Sequence, residues 1–327
     1  IICTYNGADK IEKTLASILS QKATCSYELI IVNNASTDNT ADIVIKYLTD
    51  NQAVGLKWKL VYETTPGLIN ARLAGMKQAS SDIMLFCDDD NILCDTYVQT
   101  GFEILTANPK IGVLGGLGIP EFESEKPDWF DRYYHSYAVG AQAEKDGKID
   151  MYPAEVYGAG SFFRKKPLDR FYELGFKSLF KGRTGKILSA GDDVEWCYLM
   201  QLAGYEIWYE SHLQFKHLMP AGRLNWDYYV KMKSGIASGS ADFFVYSQLF
   251  KNKHLTFFSF IFLAMLNCSY YTLLYIKHIT LTTLFDRSNK IKKLGVAISL
   301  SKASSYRKGL FKGYNQYKTL YKLIQSI

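Results

Sequence analysis

The chain of 327 residues is 48% hydrophobic and 21% charged, which excludes a disordered tail, a collagen-like fibre and a polytopic transporter. Its net charge of +6 is unevenly distributed: residues 287–327 hold ten Lys/Arg, from Arg287 to Lys322, and no acid, so the other 286 residues carry 28 basic against 32 acidic groups. A basic tail on a mildly acidic body points to an anionic partner for the tail alone.

The chain opens without a Met inside an apolar strand, Ile1–Cys3, and shows no signal peptide; a few natural residues are expected to precede it. Ala8–Ser20 follows with Ile11, Leu15, Ile18 and Leu19 at helical spacing. Leu29–Val32 reads as a second strand, and Ser36 and Asp38 supply the turn and cap for a helix through Tyr47. Leu60–Tyr62 is a third strand, Leu68–Ala79 a helix and Ile83–Phe86 a fourth strand, fully apolar. This repetition predicts an α/β fold with a parallel sheet and helices on both faces. Ligands bind such sheets outside the carboxyl ends of the strands. Each of the four strands ends there in a polar cluster: Thr4-Tyr5-Asn6, Asn33-Asn34-Ala35-Ser36, Glu63-Thr64-Thr65 and Asp88-Asp89-Asp90-Asn91.

Further along, Gly115-Gly116-Leu117-Gly118 precedes an aromatic stretch from Trp129 to Tyr137. Gly158-Ala159-Gly160-Ser161 follows, then a helix around Pro167–Tyr172, and Gly191-Asp192-Asp193-Val194-Glu195 opens a helix to Leu202. Tyr205–Tyr209 reads as another strand, with His217 after it. Neither a G-x-G-x-x-G fingerprint nor a P-loop occurs. The six cysteines show no C-x-x-C spacing, so a disulfide framework or zinc site is not expected and a reducing compartment fits.

Residues 255–276 carry no charge, and 17 of the 22 are apolar. As a helix they would extend about 33 Å, against a hydrocarbon core of roughly 30 Å. Basic groups flank both ends, Lys251, Lys253 and His254 before, Lys277 and His278 after. A single span would send one flank to the far side, so an interfacial or half-inserted helix is preferred. A buried packing helix or a dimer segment is the alternative.

Three adjacent carboxylates at a strand end repel one another and call for a cation. If strand geometry continued through the triplet, Asp88 and Asp90 would share a side and Asp89 would face away. Mg²⁺ or Mn²⁺ held by one or two carboxylates shares its other positions with phosphates and waters. An EF-hand is excluded, because Leu93 stands where the turn glycine is needed and Gln99 where the bidentate Glu belongs.

In this order the strand-end motifs resemble those of family 2 glycosyltransferases. Thr4-Tyr5-Asn6, Val32-Asn33-Asn34-Ala35-Ser36-Thr37-Asp38, Pro66-Gly67-Leu68-Ile69-Asn70-Ala71-Arg72, Asp88-Asp89-Asp90 and Gly191-Asp192-Asp193-Val194-Glu195 are similar to the family's successive motifs. The resemblance covers residues 1–225 and implies a GT-A-like, nucleotide-binding Rossmann-type mixed sheet. Residues 226–327 then form a helical, basic C-terminal extension that associates with a membrane or packs on a partner. It implies inverting, metal-assisted transfer of a sugar from a nucleotide diphosphate, UDP favoured, to a hydroxyl of a saccharide or lipid-linked acceptor, at the inner face of the cell membrane. Asp193 would be the general base, and Asp90 and His217 would hold Mg²⁺ or Mn²⁺. Thr4, Asn6, Asn34, Arg72, Asp88 and Asp89 would bind the donor; Trp129, Tyr133 and Asp192 would bind the acceptor. Asn34, Leu73 and Leu199 depart from the family's usual Asp, Asn and Arg at those places. They keep open a catalytically inactive nucleotide- or carbohydrate-binding protein. A sugar-nucleotide nucleotidyltransferase would want a glycine-rich basic loop near the first strand, where only Gly7 and Lys10 stand. Nucleic acid is not an expected partner, since no recognition motif accompanies the basic tail.

Overall fold

The computed structural model describes all residues except 52–54, 181, 184–187, 189, 252–253 and 286–288. Lys253 and Arg287, counted above among the basic groups, lie outside the described residues. The described chain groups into two compact units, Ile1–Arg170 with Asp193–Ala221, and Phe171–Asp192 with Gly222–Ile327.

The first unit opens with strands β1 (Ile2–Thr4), β2 (Glu28–Asn34), β3 (Lys57–Glu63) and β4 (Ile83–Asp88). Helices α1 (Ile11–Leu19), α2 (Thr40–Asp50) and α3 (Leu68–Gln78) alternate with them. The strands lie parallel in the order β3-β2-β1-β4, as strand-helix-strand units require. β2 is buried along nearly its whole length, so it reads as a continuous apolar run. Ile2, Ile11, Leu15, Ile31, Val44 and Leu48 form the core on one face of this half-sheet.

The chain continues through β5 (Asn91–Leu93), α4 (Tyr97–Ala107), β6 (Ile111–Phe122), α5 (Phe130–Tyr133), β7 (Gly147–Lys148) and β8 (Ser161–Arg164). Helices α6 (Lys165–Glu173) and α7 (Asp192–Leu202) and strand β9 (Glu206–Met219) follow in chain order. The whole sheet runs β3-β2-β1-β4-β8-β6-β9-β5, with β7 on β9. β8 is antiparallel to β4 and β6, which makes the sheet mixed.

β9 is far longer than the Tyr205–Tyr209 expected from sequence, and His217 lies within it rather than after it. Polar Glu210, Ser211 and His212 hide its continuation. The glycines of β6 accommodate the long strand: a Cβ on Gly116 would stand 2.3 Å from the Leu213 carbonyl oxygen. The β6–β9 register shifts between Gly115 and Leu117, where a backbone without side chains can make the close approach.

The second unit joins Phe171–Asp192 to Gly222–Ile327. Within it Phe180 packs on Phe243 with ring centroids 4.5 Å apart, which groups Phe171–Asp192 with the C-terminal helices. Those helices are α8 (Trp226–Ala237), α9 (Ser240–Lys251), α10 (Phe257–Phe285) and α11 (Lys290–Ile324). Asn225 caps α8 by accepting from the Tyr228 N–H, and Asn289 caps α11 by accepting from that of Lys292. The interior is aromatic: Phe260 of α10 meets Phe244 of α9 and Tyr314 and Tyr317 of α11, and Tyr271 stacks on Tyr306. Phe257–Leu284 is long and apolar enough to cross a membrane, and within it a segment of 18 residues has a mean hydropathy of 1.6 and is 17% buried. That sets aside the reading of α10 as a helix buried within the chain.

Candidate active site

The carboxylate triplet is split by the end of β4. Asp88 is the last strand residue, and its N–H donates to Asn91 Oδ1 at 3.1 Å. Asp89 and Asp90 form the turn into β5. Both are buried, at 7% and 3% exposure, and both face Lys10, whose Nζ lies 2.7 Å from Asp89 and 3.7 Å from Asp90. Strand alternation therefore stops at Asp88, and Asp89, expected to face away from Asp90, instead faces the same lysine. Asp89 also accepts from the Thr4 hydroxyl at 2.7 Å. Burial pushes the Asp89 carboxyl above its ordinary range, Lys10 pulls it back and the neighbouring Asp90 raises it again. Gly7 is required beside this pair: a Cβ there would sit 2.3 Å from Thr4 Oγ1 and 2.7 Å from Asp89 Oδ2.

His217 reaches the same turn through strand pairing. β5 is antiparallel to β9, with Asn91 opposite His217, and the Leu218 N–H donates to the Asp90 carbonyl at 2.9 Å. The buried imidazole bonds the Tyr137 carbonyl through Nδ1 at 2.9 Å and faces Asp90 Oδ1 with Nε2 at 3.4 Å. A carbonyl only accepts, so Nδ1 carries a proton and Nε2 presents a lone pair to a carboxylate oxygen in the neutral ring. Two acceptors face to face need a shared proton or a cation. The donor set, one imidazole nitrogen and one carboxylate oxygen with the imidazole fixed from behind by a carbonyl, fits Mn²⁺ or Mg²⁺.

Asp193 stands in the first turn of α7. Its Oδ2 accepts from the Gly158 N–H at 2.8 Å and its Oδ1 from the Val194 N–H at 2.9 Å. Trp196 of the same helix is fully buried against Phe86 of β4 and Phe163 of β8, with centroids 5.4 and 5.5 Å apart. That anchor fixes where α7 begins. Arg72 of α3 is buried, with its guanidinium 5.8 Å from the Phe86 ring centroid. A Cβ on Gly158 would lie 2.4 Å from Arg72 Nη2 and 2.8 Å from Asp193 Cβ. Arg72 and Asp193 thus converge on one glycine. Glu155 is nearby: burial raises its carboxyl, the Tyr198 hydroxyl at 2.9 Å lowers it, and the charge of Asp193 raises it.

Other predicted residues are fastened to the framework. Asn34 is buried; its amide donates to the Glu63 and Thr65 carbonyls and accepts from the Gly67 N–H at 2.9 Å. It locks the end of β2 to that of β3 and to the start of α3. Asn6 has a φ of 49°, accepts from the Thr37 N–H at 2.8 Å, and its own N–H donates to Ser36. It joins the β1 and β2 loops. Trp129 and Tyr133 are half-buried at α5, Trp129 against Phe130 and Tyr133 beside Arg132. Their segment leads to the Tyr137 carbonyl that holds His217. Asp192 is buried as the first residue of α7, and Leu199, about two turns further along the helix, is wholly in the core.

Sequence reading did not single out Lys10, the Gly158 N–H, the Tyr137 carbonyl or Glu155. A lysine at the start of a helix carries no local sign of its carboxylate partners. Among the described residues, three ligating side chains also approach within 4.8 Å at Asp146, Glu210 and His212, a surface cluster in which Asp146 is held by Ser211 and His212 by Glu210. Exposed acidic groups of this kind are common without an ion.

The model for "Glycosyl transferase family 2" matches residues 1–171. Among curated proteins, the chain is 32% identical over 116 residues to poly-beta-1,6-N-acetyl-D-glucosamine synthase of Staphylococcus aureus (strain MSSA476), over 36% of this chain and 27% of that protein. The match to the synthase of Staphylococcus epidermidis is 32% identical over 117 residues, with the same coverage. The match thus spans about a quarter of the length of these relatives. Among solved structures, S. aureus TarS 1-349 in complex with UDP-GlcNAc superposes with a TM-score of 0.52 at 16% identity, over 96% of this chain and 90% of that one. At that identity the likeness shows a shared fold.

Proposed function

The chain belongs to glycosyl transferase family 2, and on that premise we propose that it moves a sugar from a nucleotide-diphosphate donor to a hydroxyl of a saccharide or lipid-linked acceptor, with inversion. The observation that carries this reading is the convergence of Asp193, Arg72 and Gly158 on the strand-end edge that also bears the Asp89–Asp90 turn. A UDP-sugar is the favoured donor, and UDP-GlcNAc, named in the TarS complex, is the first to try.

The acceptor oxygen attacks the anomeric carbon as the bond from that carbon to the diphosphate oxygen breaks. Asp193 takes the hydroxyl proton; its Oδ2 is held for this by a backbone N–H, which fixes the carboxylate and leaves lone pairs available. Arg72 bears positive charge beside the same glycine and offsets charge on the departing diphosphate. Asp90 and His217 would hold Mn²⁺ or Mg²⁺, which when bound supplies Lewis-acid stabilisation of the diphosphate. Lys10 keeps Asp89 and Asp90 compatible in a buried turn, and Thr4 orients Asp89. Asp88 is left for the donor's ribose side. Asn34 and Asn6 shape the nucleoside end by fixing its loops. Trp129 and Tyr133 offer aromatic faces, and Asp192 a polar group, for the acceptor.

The acidic body with its basic, apolar C-terminal helices supports a peripheral position at the cytoplasmic face of the cell membrane, where a lipid-linked acceptor would be met. The test is Asp193→Asn in a transfer assay with UDP-GlcNAc and Mn²⁺, alongside a thermal-shift screen of UDP, GDP, dTDP and CDP with and without Mn²⁺. We expect transfer to be lost in Asp193→Asn while the UDP-induced shift remains. Wild-type turnover in that variant would remove Asp193 from the mechanism. No shift with any nucleotide would favour the inactive binding scaffold. Transfer insensitive to chelator would assign the cationic role to Lys10 and Arg72 alone.

A further inference from the structure

Asp90 is engaged on both of its oxygens. Oδ1 faces His217 Nε2 at 3.4 Å, and Oδ2 lies 3.7 Å from Lys10 Nζ, which also stands 2.7 Å from Asp89 Oδ1. An ion held between Asp90 and His217 therefore has to share one carboxylate with the Lys10 ammonium. Both aspartates are buried, so water screens little between two cations brought to the same group, and they repel. Lys10 has a freedom that the carboxylates lack. Its N–H donates to the Gly7 carbonyl at 3.1 Å, and the next residue, Ile11, is wholly buried, which fixes the backbone where α1 begins. The side chain beyond is 20% exposed. A flexible lysine stem with that opening can swing its ammonium from the carboxylates to water while the helix stays in place.

We propose that Lys10 is a tethered counter-cation that competes with the divalent ion for Asp90, so that entry of the ion drives the ammonium off that carboxylate. The inference rests on the reading of Asp90 and His217 as the ion-holding pair, and it adds a residue that sets how tightly the ion is held. Linkage makes the competition reciprocal: the grip of Lys10 on Asp90 weakens the ion, and the ion weakens that grip by the same factor. Lys10→Met removes the competitor. It also takes away the ion pairs that Asp89 and Asp90 make with the lysine, and two buried carboxylates then repel across the turn. Such a variant is less stable by itself and gains more from the ion. A lysine that only held the turn together would show the loss of stability without the gain in ion affinity.

Calorimetric titration of the full chain with MnCl₂, paired with melting curves with and without Mn²⁺, tests this without a transfer assay. Every protein compared carries His212→Gln, which removes the surface cluster of Asp146, Glu210 and His212 as a second place for the ion. We expect Lys10→Met to bind Mn²⁺ about tenfold or more tightly than its parent. Its melting temperature without the ion should fall by about 5 °C or more, and saturating Mn²⁺ should recover most of the fall. Lys10→Arg keeps the charge and should show no gain. Lys13→Met, at an exposed lysine of α1, should also show none, which separates competition at Asp90 from a general loss of positive charge. Should Lys10→Met fail to fold, Lys10→Met with Asp89→Asn relieves the repulsion and keeps Asp90 and His217; its Mn²⁺ affinity should exceed that of Asp89→Asn alone. Equal affinity with and without Lys10, or no saturable binding in either protein, overturns the competition. Binding that is lost in Asp90→Asn yet indifferent to Lys10→Met keeps the ion-holding pair and overturns the competition alone. A gain that persists when Asp90→Asn is added overturns both.

Discussion

At Gly158 the absence of a methyl group decides the geometry of the site. A Cβ there would lie 2.4 Å from Arg72 Nη2 and 2.8 Å from Asp193 Cβ, and the latter, fixed by the backbone of α7, cannot retreat freely. Gly158→Ala is therefore expected to lower kcat by about a hundredfold through displacement of reacting groups. Overpacking should cost about 1–3 kcal/mol of stability. Steady-state kinetics and a urea titration on the same preparation measure both, and unaltered kcat would show that Asp193 and Arg72 do not act through this contact. Asp38 offers a pH test. Burial tends to raise its carboxyl, but hydrogen bonds from the Thr40 hydroxyl and N–H and from the Ala8 N–H outweigh it and hold it below its ordinary value. A depressed carboxyl contributes stability above its unfolded pKa of about 3.9, and the contribution is lost as pH falls through the lower folded value. The stability gap between wild type and Asp38→Asn should thus be full at pH 6 and close progressively below about pH 4. A gap independent of pH would mean that the Asn side chain, and not loss of charge, is responsible.

Among the elements, α7 carries Asp193, the proposed proton acceptor, and is anchored by one large side chain. Trp196 is fully buried between Phe86 and Phe163, so Trp196→Ala should cost about 3–5 kcal/mol, read as a shift of the urea midpoint. Activity should fall in the surviving folded fraction, because the first turn of α7 loses its register over the sheet. Unchanged activity per folded molecule would show that the Gly158 contact alone positions Asp193. The parallel strands and their polar ends were legible in sequence because short apolar runs alternate with helical spacing. Their common polar edge follows from topology. The reach of β9 was not legible: Glu210, Ser211 and His212 break the apolar pattern, while pairing with β5 and β6 supplies the order that propensity lacks. His217 was therefore recognised by type but not by place. The facing of Asp89 and Asp90 was misread for a different reason, since alternation holds only within a strand and β4 ends at Asp88. Lys10 is joined to them across 79 residues of sequence, a separation at which no local pattern carries information.

At the scale of the whole molecule, charge and exposed apolar surface gather in the same C-terminal helices, and magnitudes decide which would hold the protein to a bilayer. Phe258 is 82% exposed, Phe262 58% and Leu273 66%. Burying three such side chains is worth about 5–9 kcal/mol together. Each Lys near an anionic surface adds about 1 kcal/mol, but at 1 M salt the Debye length contracts to about 3 Å. The full chain should accordingly float with phosphatidylglycerol vesicles, and 1 M NaCl should weaken that binding without abolishing it. Phe258→Glu, Phe262→Glu and Leu273→Glu combined should abolish it at any salt. Point variants are the right tool here: removing residues 251–327 would take away α11, against which Phe244 of α9 packs through Tyr306, and would expose the aromatic interior. Complete release of wild type at 1 M NaCl would assign the attachment to the basic groups. A triple variant that still floats would show that the exposed face of α10 does not meet lipid and is covered by a protein partner instead.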